Sequence, residues 1–278
     1  MKRYIISIAL CLSTLAVGAQ KQLTILHTND THSCIEPLSI NLADTMQAGR
    51  GGFLRRLTMI EQERKKDPKL LLLDSGDFSQ GSPYYTLFKG DVEIELMNRM
   101  HYDASTVGNH EFDFGLENMA RLFKMANFPI ICSNYDFTGT PVEGLTKPYI
   151  VLKRQGVKIG IFALDPKMEG LVATKNFVGV KYLDPIEVAN CMTKLLKEEK
   201  KCDVVILISH LGWDESGMNE QKLIAASRGI DLVLGGHSHT YFQALRYVTD
   251  LDGRQVPVDQ NGKNAIFVGK MTLDLQKK

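Results

Sequence analysis

The sequence has no excess of charge of either sign. Its 33 lysines and arginines nearly balance its 32 aspartates and glutamates, and the formal net charge is +1 at pH 7. Proteins that bind nucleic-acid polymers by neutralising phosphates favour clustered, excess Lys and Arg. The composition therefore argues against a nucleic-acid polymer as a partner, and any anionic ligand must be met by a local group.

Cysteine is also scarce, with five residues in 278. The cysteine spacing fits no zinc module, so we expect buried thiols or one incidental disulfide. The sequence has no low-complexity stretch, no internal repeat and no linker. With 44% apolar and 23% charged residues, the chain is long enough to bury a large hydrophobic core.

A long apolar run occurs at the N-terminus. The basic pair Lys2-Arg3 precedes an almost uncharged segment over residues 4–17, which ends in small residues. This pattern is typical of a secretory signal peptide, and the run is shorter than the roughly 20 residues that span a bilayer. We expect residues 1–19 to be removed, which predicts an exported protein, periplasmic or extracellular, without a membrane anchor. The removal would leave a net charge of −1, because it takes away two basic residues and no acidic one.

Short apolar runs alternate with helical patterns along the rest of the chain, which predicts an α/β fold. Amphipathic periodicity predicts four helices, over residues 52–66, 92–100, 116–126 and 185–200. Residues 149–152 and 157–164 are predicted to form a β-hairpin. The dipeptides Asp252-Gly253 and Asn261-Gly262 are hairpin signals in a strand-rich C-terminal part, and a final strand is predicted over residues 266–275.

Five of the predicted strands end in polar loops. These strands cover residues 23–26, 70–73, 104–107, 204–208 and 232–234. Because ligands bind at the carboxyl ends of strands in open α/β sheets, the loops predict one site assembled from distant parts of the chain. They carry five of the seven histidines with two aspartates and an asparagine: Asp30, His32, Asp77, Asn109, His110, His210, His237 and His239.

These residue types are ligands for divalent metals, and a carboxylate can bridge two cations. In Asp30-x-His32 and His237-x-His239, alternate residues of an extended segment would project to the same side, so each pair can converge. A glycine before Asp77 would let the backbone turn sharply. Each motif alone has an ordinary structural explanation, such as a loop histidine pair or a turn aspartate. Together they predict a dinuclear metal site.

The ordered motifs resemble the calcineurin-like metallophosphoesterases. More narrowly, LHTNDTH at residues 26–32, GNHEFD at residues 108–113 and LGGHSHT at residues 234–240 resemble the catalytic domain of the bacterial 5′-nucleotidase family. The resemblance implies a metallophosphoesterase domain over residues 20–278, folded as a β-sandwich flanked by helices in a four-layer α/β/β/α arrangement.

The resemblance also implies roles for individual residues. One metal would be held by Asp30, His32, Asp77 and His239, and a second by Asp77, Asn109, His210 and His237, with Asp77 as the bridge. His110 would stabilise the transition state or protonate the leaving oxygen, and Asp113 would orient it; Asp113 could also cap a helix that begins near residue 115. Asn29 and Glu111 are expected to support the metal ligands, whereas His27 and His101 are expected to be packing or surface residues.

The sequence departs from the family in one respect. Nucleotidases of this type carry a C-terminal domain that binds the base, and we expect residues 20–278 to lack this domain. The favoured function is release of phosphate from 5′-nucleotides by a metal-activated water, with two divalent ions drawn from zinc, manganese, iron or cobalt. One alternative is a 2′,3′-cyclic-nucleotide phosphodiesterase or UDP-sugar pyrophosphatase on the same site. Another is the metal-binding half of a two-chain assembly, inactive without a separate chain that carries the specificity domain.

Overall fold

The computed structural model describes residues 21–275, and the expected signal peptide over residues 1–19 lies outside this range. Fourteen strands occur among the described residues: β1 (Lys21–Thr28), β2 (Leu71–Asp74), β3 (Ala104–Ser105), β4 (Ile130–Ile131), β5 (Tyr135–Asp136), β6 (Thr146–Lys147), β7 (Tyr149–Arg154), β8 (Val157–Leu164), β9 (Lys181–Tyr182), β10 (Val204–Ser209), β11 (Leu232–Leu234), β12 (Arg246–Thr249), β13 (Gln255–Asp259) and β14 (Gly269–Leu275).

Six α-helices accompany these strands within the same range: α1 (Phe53–Lys66), α2 (Pro83–Phe88), α3 (Asp91–Met100), α4 (Gly115–Met125), α5 (Pro185–Lys194) and α6 (Glu220–Ala225). Short 3-10 helices cover His110–Phe112 and Thr174–Asn176. Helix α5 continues as a π-helical turn over Leu195–Glu199.

Two six-stranded sheets form the centre of the protein. The first has the strand order β14-β1-β2-β3-β4-β6, and the second has the order β12-β13-β11-β10-β8-β7. Strands β1 to β4 run parallel to one another, as do β8, β10 and β11. Because neighbouring parallel strands end at the same edge of a sheet, the loops that follow them are brought side by side.

Alternation of apolar side chains along the strands produces four layers. Ile25 of the first sheet and Ile206 of the second belong to one buried cluster between the sheets. Leu26 lies on the other face of the first sheet, in a cluster shared with α1, α3 and α4. Leu207 lies on the outer face of the second sheet, in a cluster shared with α5 and α6. The expected α/β/β/α arrangement is confirmed, and burial of these faces is its main source of stability.

Outside the C-terminal part, the predicted elements are confirmed with ends that shift by at most two residues, when the π-helical turn over Leu195–Glu199 is counted as the end of the helix predicted over residues 185–200. Asp252-Gly253 lies in the turn of the β12–β13 hairpin. The prediction that Asn261-Gly262 forms a second hairpin is wrong, because β13 lies in the second sheet whereas β14 pairs with β1 in the first. The dipeptide instead marks the crossing between sheets, where the Gly262 amide donates to the Thr240 carbonyl at 2.8 Å. The predicted final strand begins later than expected, at Gly269.

The four cysteines in the described range are free thiols. Cys132 and Cys202 are buried as expected, Cys34 is partly buried and Cys191 is exposed. Among residues 21–275, no helix is both long enough and apolar enough to cross a membrane.

Candidate metal centre

The candidate site lies where the carboxyl-end loops of the two sheets meet. Ser75, directly after β2, donates from Oγ to the Leu234 carbonyl at the end of β11, at 2.8 Å. The carbonyl of Ser75 accepts from Nδ1 of His210, in the loop after β10, at 2.6 Å. Within the first sheet, the loop after β1 is joined to the loop after β2 by a hydrogen bond of 3.0 Å from the Asp30 amide to the Gly76 carbonyl. Loops from both sheets therefore form one continuous surface.

Histidine nitrogens and carboxylate oxygens cluster on this surface. Three groups have ligand atoms within 4.8 Å of one another: Asp30, His32 and His239; His32, Asp77 and His110; and Asp77, His210 and His237. Because His32 and Asp77 each belong to two groups, the three groups form one cluster. The structure thus brings together six of the seven residues expected to bind metal. The seventh, Asn109, directly precedes His110, and its buried Oδ1 has no hydrogen-bond partner among residues 21–275.

The ligand atoms of the cluster lie close enough together to share a bound cation. Oδ1 of Asp30 lies 3.7 Å from Nε2 of His32 and 3.5 Å from Nε2 of His239, and these two nitrogens are 3.0 Å apart. Oδ2 of Asp77 lies 3.1 Å from Nε2 of His210. Burial would lower the pKa of His210, but the Asp77 carboxylate raises it well above its usual value. Positive charge is therefore favourable at the centre of the cluster, and the donor set fits divalent metal ions.

Three of the cluster histidines are held in the neutral form. Burial lowers the pKa of His32 to about 4, that of His237 to about 3 and that of His239 to about 4. A neutral imidazole has an unprotonated ring nitrogen, which is the form that binds a metal. At neutral pH these three side chains are therefore available as ligands.

The backbone of the cluster is left-handed at five positions. Asp30, His32, Asp77, His237 and His239 have φ values of 47°, 47°, 53°, 68° and 56°. Such a conformation costs a non-glycine residue on the order of 1–3 kcal/mol, and it is concentrated at functional sites. The prediction that each pair converges along an extended segment is wrong, because both members of each pair adopt a left-handed conformation instead. Asp30 and His32 still meet in one group of possible ligands, whereas His237 and His239 belong to two different groups of the cluster.

Comparison with known proteins agrees with this geometry. The sequence model of the calcineurin-like phosphoesterase family matches residues 23–241. The chain belongs to this family. It is 35% identical over 283 residues to the 5′-nucleotidase of Homo sapiens, a match that covers 95% of this chain and 48% of that protein. The chain spans about half the length of the curated relatives it matches.

Solved structures of the family resemble the chain in three dimensions. A 5′-nucleotidase precursor from Thermus thermophilus superposes with a TM-score of 0.82 at 29% identity, covering 92% of this chain and 52% of that one. The NAD nucleotidase of Haemophilus influenzae superposes with a TM-score of 0.80 at 28% identity, covering 91% of this chain and 53% of that one. Both similarities support the assignment of the phosphoesterase fold.

Two glycines allow the loops of this phosphoesterase fold to pack closely around Asp77. A Cβ added at Gly108 would lie 2.0 Å from Asp77 Oδ1 and 2.6 Å from the Asp77 amide nitrogen. Gly76 has a φ of 86°, and a Cβ added there would lie 2.7 Å from the Gly108 nitrogen. The close packing lets the His110 amide donate to Asp77 Oδ1 at 2.9 Å.

Glu111 organises the backbone around Asp77. Its carboxylate is buried and accepts three backbone amides, those of Asp77 at 3.0 Å, Gly108 at 2.6 Å and Ser79 at 3.1 Å. Burial, and then the Asp77 charge, raise its pKa to about 8. The residue expected to support the ligands thus acts on the backbone that presents Asp77.

Asn29 contacts a cluster residue directly. Its Nδ2 donates to Asp30 Oδ2 at 2.6 Å and to the Gly262 carbonyl at 2.8 Å, while its Oδ1 accepts the Asn261 amide at 2.9 Å. These three bonds fix the orientation of the Asp30 carboxylate relative to the segment that crosses between the sheets.

His110 is held through one of its ring nitrogens. Its Nδ1 lies 2.9 Å from Asp113 Oδ2, and both side chains are partly exposed. The N-cap of helix α4 is Phe114, without a side-chain capping bond, so Asp113 does not cap this helix. Burial would lower the pKa of His110, but the hydrogen bond with Asp113 and the Asp77 charge raise it overall. Nε2 makes no hydrogen bond to the part of the chain that the structure describes, so this nitrogen is available to another partner.

Sequence reasoning missed Gln260, which stabilises the loop of His237 and His239. Its Oε1 accepts from the Thr240 amide and from Ser238 Oγ, and its Nε2 donates to the Gly236 carbonyl at 2.8 Å. A buried glutamine outside every motif gives no sequence signal for such a role. The Ser75 carbonyl was missed as well, because a main-chain contact cannot be read from residue type.

Two histidines lie outside the cluster. His27 is fully buried, and its Nε2 lies 2.8 Å from Asp259 Oδ2, so it joins β1 of the first sheet to β13 of the second. His101 is exposed and forms the C-cap of α3. Neither residue belongs to the three groups of possible metal ligands.

Replacing Gly108 with alanine tests the close packing around Asp77. The added Cβ would overlap Asp77 Oδ1, so we expect the free energy of unfolding to fall by about 1–3 kcal/mol in urea denaturation. Gly217→Ala is the matched control, because a Cβ at that position meets nothing within 4 Å. Its effect should stay within about 0.5 kcal/mol. Equal stability of the two variants would contradict the packing described here.

Proposed function

We propose that the protein is an exported dinuclear-metal phosphohydrolase that releases phosphate from 5′-nucleotides. The proposal rests mainly on the cluster of three overlapping groups of possible metal ligands at the junction of the two sheets. The matches to proteins named 5′-nucleotidase support nucleotides as the substrate class. The signal-peptide pattern of residues 1–19 supports export.

The donor set supports two divalent ions that share one carboxylate. One ion would take Asp30, His32, Asp77 and His239, and the other would take Asp77, Asn109, His210 and His237. The buried Asn109 Oδ1, which lacks a partner among residues 21–275, supports its inclusion as a neutral oxygen ligand. The mixture of imidazole, carboxylate and amide donors suits zinc, manganese, iron or cobalt.

Two bound cations would lower the pKa of a water molecule, orient it for attack on phosphorus and neutralise the phosphate oxygens. The carboxylates of Asp30 and Asp77 would hold this positive charge at a buried edge of the sandwich. Such a local charge would let a chain whose basic and acidic residues nearly balance bind an anionic ester.

His110 supplies the proton in this proposal. Nδ1 lies 2.9 Å from the Asp113 carboxylate, so this contact orients the ring and leaves Nε2 as the nitrogen that can act on the substrate. As the bond between phosphorus and the leaving ribose oxygen breaks, Nε2 donates its proton to that oxygen. Asp113 acts through His110 and does not itself contact the reacting atoms.

A second candidate function is hydrolysis of a nucleotide pyrophosphate. The observation that favours it is the similarity to the NAD nucleotidase of Haemophilus influenzae, with a TM-score of 0.80. The same ligand groups would serve, and the bond cleaved would be the phosphoanhydride. The two candidates differ in their products, because the second releases a nucleotide where the first releases phosphate.

Phosphate release from 5′-AMP by the chain from residue 20 onward, with added manganese or zinc, tests the function. We expect metal-dependent release that falls to background in Asp77→Asn, because the substitution removes the shared carboxylate oxygen. Release of AMP from NAD without release of phosphate from AMP would favour the second candidate. Turnover of neither substrate by a chain that binds two metals would contradict the proposal.

The proton-transfer role is tested by His110→Asn. We expect kcat for 5′-AMP to fall by about 100- to 10,000-fold while the metal content stays unchanged. His101→Asn makes the same chemical change at an exposed histidine outside the cluster, and it should behave like the unmodified protein. A His110→Asn variant with normal kcat would show that another group supplies the proton.

A further inference from the structure

Two aromatic side chains, one of them two residues after the candidate ligand His239, are stacked on each other. The ring centroids of Tyr241 and Phe267 are 4.0 Å apart, and the rings are inclined by 13°. Tyr241 is 47% exposed, whereas Phe267 is half-buried. Because stacking on Phe267 covers one face of the Tyr241 ring, the remaining surface of that ring is available to a planar ligand.

The backbone of Tyr241 is held near the cluster by its position in the chain and by contacts with a second segment. Tyr241 follows the candidate ligand His239 by two residues, and it forms an isolated antiparallel bridge with Asn261. The neighbouring Gly262 amide donates to the Thr240 carbonyl at 2.8 Å. The segment that carries His239 and Tyr241 is thus joined to residues 261–264, which lie shortly before Phe267 in the chain.

Residues 261–264 are joined in turn to the other side of the cluster. The Gly262 carbonyl accepts from Asn29 at 2.8 Å, and the Asn264 amide donates to the Asp30 carbonyl at 2.9 Å. One segment therefore connects Asp30, His239 and the stacked rings. The backbone that carries Tyr241 is therefore tied to the loops that carry the residues proposed to bind metal.

A cationic side chain lies in the same segment. Lys263 is exposed, and it directly precedes Asn264, whose amide donates to the Asp30 carbonyl at 2.9 Å. The backbone of Lys263 is therefore held beside the loop that carries Asp30. An anionic phosphate ester would be attracted by a positive charge in this segment.

We propose that Tyr241, supported by Phe267, is a stacking platform for the nucleobase of the substrate. This inference rests on the proposed phosphohydrolase function and assigns a contact to the part of a nucleotide that the catalytic residues do not touch. Every base has a π face, so such a platform favours nucleotides over phosphate esters that lack a base and is tolerant of base identity. Adenine, guanine and cytosine nucleotides should therefore be accepted similarly.

Steady-state kinetics on 5′-AMP and ribose 5-phosphate test the platform, because the second substrate keeps the phosphate and the sugar but has no base. We expect Tyr241→Leu to raise KM for 5′-AMP by about tenfold with little change in kcat. Its constants for ribose 5-phosphate should stay within about twofold of those of the unmodified protein. Tyr241→Phe keeps the ring and should retain the low KM for 5′-AMP.

Tyr247→Leu is the control, because Tyr247 is an exposed tyrosine, at 58%, on strand β12 and is not part of the stacked pair. It should leave both substrates unaffected. A Tyr241→Leu variant that alters both substrates equally, or neither, would overturn the platform while leaving the phosphohydrolase proposal intact. If the unmodified protein hydrolyses neither substrate, the proposed function itself fails, and the platform fails with it.

Discussion

The buried carboxylate of Asp77 is the group around which the loops of both sheets are arranged. Its Oδ1 accepts the His110 amide at 2.9 Å, and its Oδ2 lies 3.1 Å from Nε2 of His210. Loops after β2, β3 and β10 therefore meet at one side chain. An isolated buried carboxylate is costly, and positive charge beside it removes much of that cost. The structure thus favours a cation at the place where the proposed chemistry needs one.

The sandwich holds the loops of the cluster in backbone conformations that their residues do not favour on their own. Five residues of the cluster are left-handed, which each costs on the order of 1–3 kcal/mol. The Glu111 carboxylate, with three backbone amides, and the Gln260 side chain keep two of these loops in position. The buried clusters between and outside the sheets supply the stability that such strain requires. The stability of the sandwich therefore compensates for the backbone strain in the loops of the cluster.

The sequence was informative where the relevant signal is local. Apolar runs and helical periodicity located the long strands and helices, and the ordered motifs pointed to the family. The two-residue strands β4 and β6 could not be found, because periodicity needs a longer segment. The left-handed backbone at Asp30 and His32 could not be found either, since it depends on pairing with the loop after β2.

The two hairpin signals also show that local sequence information alone does not determine a turn. Asp252-Gly253 and Asn261-Gly262 carry similar local information, yet only the first lies in a hairpin turn. The second is held by Asn29 and Thr240, which are distant in sequence. Tertiary contacts thus decided the structure at Asn261-Gly262, and that segment also connects Asp30 to the proposed nucleobase platform.

The most direct test of the metal centre is a count of bound ions. The protein would be loaded with manganese or zinc, freed of excess metal by gel filtration and weighed by native mass spectrometry. We predict two divalent ions in each chain and at most one in Asp77→Asn, because both proposed sites share the Asp77 carboxylate. An unmodified chain that retains fewer than two ions, or an Asp77→Asn variant that retains two, would contradict a dinuclear centre bridged by Asp77.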